Sequence, residues 1–141
     1  MKSRVNEAST GRVVDPDVSA DESRYAVFTH LAGLLSLVTA NVPIASLIGT
    51  LVMWQIKKSE SPFLDDHGRE SVNFQISLLV YLAAGGAVLG LLTMVTFGIA
   101  APLLGLGWVV LAVLNCVGCV RGAIAAGRRE FYRYPMCLRF L

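Results

Sequence analysis

SVNFQISLLVYLAAGGAVLGLLTMVTFGIAAPLLGLGWVVLAVLNCVGCV, residues 71–120, runs without one Asp, Glu, Lys or Arg. A helix rises about 1.5 Å per residue and needs about 20 residues to cross roughly 30 Å of hydrocarbon. The stretch is too long for one crossing and suits two. Gly98 and Pro102 bracket the breaker FGIAAP, and the pattern predicts helices over 69–97 and 102–127.

Moving outward, residues 25–56 are also uncharged, and the twelve basic and ten acidic side chains of the 141-residue chain fall within 1–24, 57–70 and 121–141. With 55% hydrophobic residues, 16% charged and a mean hydropathy of +0.61, the composition excludes an ordinary soluble domain and predicts an all-α integral membrane protein. The earlier block divides at Asn41-Val42-Pro43. Proline suits a first helical turn, so a short hairpin of helices over about 24–40 and 43–57 is expected; a single helix kinked at Pro43 is the alternative. Four spans place all Lys and Arg on one face, which the positive-inside rule makes cytoplasmic, N- and C-termini included. A kinked single helix would strand Lys2, Arg4, Arg12 and Arg24 outside. The expected address is the cell inner membrane. Residues 1–23 mix both charge signs with no apolar run and read as a disordered cytoplasmic tail, leaving 24–141 as one membrane domain. In 128–141, aromatic and apolar residues alternate with Arg133, Pro135 and Arg139, as in an extended segment lying at the membrane surface or under the bundle.

Depth along each helix puts His30, Asn73, Gln75 and Arg121 about 10 Å inside the cytoplasmic end. Polar groups at that depth are expected to turn inward as a shared polar layer; for Arg121, snorkelling to the headgroups is the competing reading. In the charged loop before span three, Asp65 or Asp66 suits a helix cap, with Glu70 in the first turn. Asp66, His67 and Glu70 also share a helical face as weak metal-ligand candidates, and no metal or other cofactor is expected. Gly86 with Gly90, and Gly118 with Gly122 and Ala126, form small-residue stripes for close helix packing. Cys116 and Cys119 read as packing residues, and Cys137 as a thiol in a reducing compartment.

HLAGL (30–34), WQIKKSESPFLDDHGRESVNFQ (54–75) and GRREFYRYP (127–135) together resemble a bacterial and archaeal domain of unknown function in the Tic-twenty-like superfamily, named for a chloroplast inner-envelope protein import component. The matching positions are His30, Trp54, Lys58, Pro62, Phe63, His67, Glu70, Asn73, Phe74, Gln75, Tyr132, Tyr134 and Pro135. The resemblance implies a four-helix membrane fold and a role in moving proteins across or into membranes. On that basis the expected function is a translocation or insertion accessory, with the lipid bilayer and a translocase, insertase or chaperone as partners. Nucleic acid is not expected among them. A homo-oligomeric ion or solute channel is the alternative, and a membrane enzyme is disfavoured because no nucleophile constellation is present.

Overall fold

A computed structural model describes residues 5–6, 11–39 and 43–141 of the chain. Two short strands, β1 (Val5–Asn6) and β2 (Val13–Val14), pair antiparallel. The helices α1 (Ala20–Ala32), α2 (Leu35–Val38), α3 (Pro43–Lys57), α4 (Pro62–Val95) and α5 (Ala101–Gly127) follow.

Helices α4 and α5 are long and apolar enough to cross a membrane. Their connection turns on Phe97 and Gly98, which take φ of 51° and 91°, a region open to glycine at little steric cost. Pro102 sits in the first turn of α5, where its missing N–H leaves no bond unmade. Helix α4 starts at Pro62, seven residues before the expected boundary. Its cap is Ser61, whose Oγ accepts from the Phe63 N–H at 3.2 Å. Asp65 and Asp66 are therefore helical residues rather than caps, and Glu70 lies beyond the first turn.

The shorter helices form a hairpin. Tyr25 Oη donates to the Met53 carbonyl at 2.8 Å, and the Ser36 N–H donates to Ser46 Oγ at 2.8 Å, so α3 returns antiparallel beside α1 and α2. The connecting turn, including Asn41 and Val42, lies outside the described residues. The expected first span is interrupted at Gly33-Leu34, between α1 and α2. Helix α3, with 15 residues, is about 22 Å long.

Order extends into the expected tail. Ser19 and Glu22 form a capping box at the start of α1, with bonds of 3.1 and 2.8 Å. The Asp15 N–H donates to the Arg129 carbonyl at 3.1 Å, the Phe131 N–H donates to the Val13 carbonyl at 2.9 Å, and Ser23 Oγ donates to the Ala126 carbonyl at 2.8 Å. Residues 11–23 are thus structured, contrary to the expectation of disorder. Their partners lie more than a hundred residues away, where composition gives no hint of them.

Burial divides the molecule into two zones. Every buried residue of α4 lies between Phe63 and Leu78, and every buried residue of α5 between Asn115 and Ala126. This head holds two apolar clusters, one around Phe74, Cys119, Tyr132 and Tyr134 and the other around Val18, Ala26, Phe63, Leu64 and Ala126. Phe74 and Tyr134 stack with ring centroids 4.0 Å apart. The rest of the α4–α5 hairpin projects with Val88, Leu91, Met94, Leu106 and Val110 exposed, the pattern of a surface whose solvent is lipid.

Candidate functional site

On α4 the sequence sets Asp66, Glu70, Asn73, Ser77 and Tyr81 at steps of four, three, four and four, which puts all five on one helical face. That face binds the segment following α5. Asp66 takes Arg133 with two bonds of 2.6 and 2.7 Å; this pairing holds the guanidinium pKa above its usual value. The buried Glu70 carboxylate accepts the Tyr134 N–H at 2.9 Å and Arg139 Nη2 at 3.1 Å. Asn73 Oδ1 accepts the Phe140 and Leu141 N–H groups at 3.0 and 3.1 Å, and its Nδ2 donates to the Leu141 carbonyl at 3.3 Å. This carboxamide stands in for a neighbouring strand. Ser77 Oγ accepts the Leu138 N–H at 2.8 Å, and Tyr81 Oη donates to the Met136 carbonyl. Side chains of α4 thereby engage part of the backbone polarity of 134–141 without a sheet. The segment doubles back at Pro135-Met136, where Met136 takes a φ of 58°. It packs along α4.

The adjoining side of α4 also faces inward. His67 Nε2 lies 3.1 Å from the Glu130 carbonyl, His67 Nδ1 lies 2.8 Å from His30 Nε2, and His30 Nδ1 lies 2.7 Å from Tyr134 Oη. His30 and His67 are 0% and 1% exposed, so bulk solvent does not reach either ring. Phe63 and Phe131 wall the His67 ring. Gly122 makes room for His30, since a Cβ there would come within 2.7 Å of its ring. Burial raises the Tyr134 hydroxyl well above the usual tyrosine pKa, and raises Tyr132 to a lesser degree.

A third network closes the break between α1 and α2. The Gly33 carbonyl accepts from Asn115 Nδ2 at 2.9 Å and Gln75 Nε2 at 3.4 Å, and Gln75 also donates to Asn115 Oδ1 at 3.0 Å. These carboxamides line a cavity of about 60 Å³ reaching Ser36, Pro43 and Trp108.

The four residues expected to share one polar layer thus separate. His30 joins His67 and Tyr134; Gln75 joins Asn115; Asn73 holds the last residues of the segment. Arg121 is exposed on α5. The candidate ligands Asp66, His67 and Glu70 each have different partners, and no group of three His, Cys, Asp or Glu among the described residues is arranged to hold a metal ion. Of the remaining motif residues, Trp54 donates from Nε1 to Asp65 at 2.8 Å, packs against Gly68 and carries Lys58 over its ring at 5.2 Å. Asn115, Ser77, Tyr81 and Glu130 escaped the sequence reading. The α4 spacing alone pointed to Ser77 and Tyr81.

A hairpin of two long apolar helices, with a polar-pinned helical head at one end, defines a small helical membrane protein. Residues 21–141 match the magnetosome magnetite crystal formation protein family, MamF/MmsF, and the chain belongs to that family. No curated protein and no solved structure matches the chain. The family overturns the Tic-twenty-like resemblance and the translocation role drawn from it, and supports neither the channel nor the enzyme alternative. The quoted motifs misled for a physical reason: Trp54, Pro62, His67, Glu70, Asn73 and Tyr134 cap, pack and pin the head, which is information about architecture and not about cargo.

Proposed function

We propose that this protein is a non-catalytic membrane component of magnetite crystal formation, resident in the magnetosome membrane. The observation that carries this reading is the family match across residues 21–141. Helices α4 and α5 cross the bilayer. The α1–α3 hairpin enters from the face that carries the head and turns back, because α3 at about 22 Å is shorter than the roughly 30 Å hydrocarbon layer. That leaves two crossings where four were expected. The charged side chains of the described residues then lie on one face, and the positive-inside rule assigns it to the cytoplasm. Among the described residues, the opposite face carries the turn around Phe97, Gly98 and Ile99 alone. Deleting the gene in a magnetite-forming host and measuring crystal size and number by electron microscopy tests the role. Altered crystals, restored by the intact gene, support it; unchanged crystals overturn it.

A further inference from the structure

The imidazole chain in the head has a single direction. The Glu130 carbonyl only accepts, so His67 Nε2 carries a hydrogen and, with the ring neutral, Nδ1 is bare. His30 Nε2 must therefore donate to His67 Nδ1, which leaves His30 Nδ1 bare and makes Tyr134 Oη its donor. Both rings are Nε2–H tautomers, and each of the three contacts, at 2.7, 2.8 and 3.1 Å, contains one hydrogen. Two of the four groups, Glu130 and Tyr134, belong to the segment after α5, while the histidines stand on α1 and α4.

We propose that this chain is a proton-sensitive latch, which holds residues 130–141 against the helices while both imidazoles are neutral and releases them when one proton is taken up. A proton added at His67 Nδ1 sets two N–H groups face to face across 2.8 Å. Added at His30 Nδ1, it removes the hydrogen bond that Tyr134 donates. Either site places a charge in a dry core. The surrounding carboxylates are already engaged: Asp66, whose charge reaches His67, by Arg133, Glu70 by Arg139 and Glu130 by Arg12. Arg133 opposes a cation at His67. Helix α5 offers the Cys119 thiol beside Tyr134, and Tyr132 meets His30 edge-on at 6.2 Å; neither supplies a negative charge at neutral pH. In the released state water solvates either imidazolium, so that state binds the proton more tightly and acidification favours it.

Hydrogen exchange of the intact protein in detergent tests the latch. The Tyr134, Leu138, Phe140 and Leu141 amides, corrected for intrinsic exchange, are expected to lose protection by about tenfold between about pH 7.5 and 5.5, the ordinary titration range of imidazole, while those of α5 keep theirs. Replacing both imidazoles, His30→Gln together with His67→Gln, abolishes the pH dependence, whereas Glu70→Gln keeps it. Nitrogen-15 NMR of the unaltered protein gives a reading that does not depend on a variant folding: both histidines are Nε2–H tautomers at pH 7.5. Protection independent of pH, a response that persists when both imidazoles are replaced, or an Nδ1–H tautomer on either ring overturns the proposal.

Discussion

Gly118 and Gly90 have opposite surroundings although both are helical glycines in small-residue stripes. A Cβ on Gly118 would come within 2.7 Å of the Phe74 ring, while one on Gly90 meets nothing within 4 Å. Gly118→Ala is expected to destabilise the head by about 1–3 kcal/mol through overpacking. Gly90→Ala is expected to be neutral or to add up to about 1 kcal/mol from helix propensity. Thermal unfolding in one detergent distinguishes the two; equal effects would refute this division of the helices. The buried tyrosines predict a pH response of definite sign. An unfolded tyrosine ionises near pH 10, whereas Tyr132 and Tyr134 resist ionisation in the folded head. Above about pH 10 the unfolded state therefore holds fewer protons than the folded state, and stability falls as pH rises. A Tyr132→Phe, Tyr134→Phe double variant should flatten that part of the unfolding-midpoint profile.

Helix α4 is two devices in series: a polar pinning face from Asp66 to Tyr81 and a lipid-facing rod beyond it. Asn73→Leu removes three hydrogen bonds, each worth about 0.5–1.5 kcal/mol net, and leaves the Phe140 and Leu141 N–H groups without their acceptor. The expected result is a head that still folds while the segment after α5 loosens. In a Cys116→Ser background, maleimide labelling of Cys137, which contacts Ser77 Oγ, should rise severalfold. An unchanged rate would show that Asn73 does not hold the segment. This element also marks what was legible in the sequence. The apolar halves of α4 and α5 and the turn at Gly98 are written locally, in charge, length and breaker residues. The Ser19–Glu22 box was equally local and passed unread behind the mixed charges of the tail. The role of Glu70 was hidden because its partners Tyr134 and Arg139 lie 64 and 69 residues away, and their pairing depends on the reversal at Met136. His30 and Gln75 stand on neighbouring helices at similar depth, yet different rotations about the helix axes send them to separate networks.

At the scale of the whole molecule the charge of the described residues is one-ended, and labelling can test the bilayer arrangement. Cysteine placed at Ile99 should react with a membrane-impermeant thiol reagent from the face opposite to cysteine placed at Lys58. Cysteine at Leu37, near the tip of the short hairpin, should react from neither face. Labelling of the Ile99 and Lys58 positions from the same side would remove the two-crossing arrangement. The pinning of α4 also bears on how the protein is made. Synthesis delivers Glu70, Asn73 and Ser77 to the membrane some sixty residues before the groups that saturate them. In that interval their polar atoms have only water, headgroups or the insertion machinery to bond. Closure of the head must wait until both spans are made and the segment behind them has emerged, and pairings so distant in sequence form slowly. The nascent chain is thus most exposed to proteolysis and misassembly late in its synthesis, after its hydrophobic part is complete.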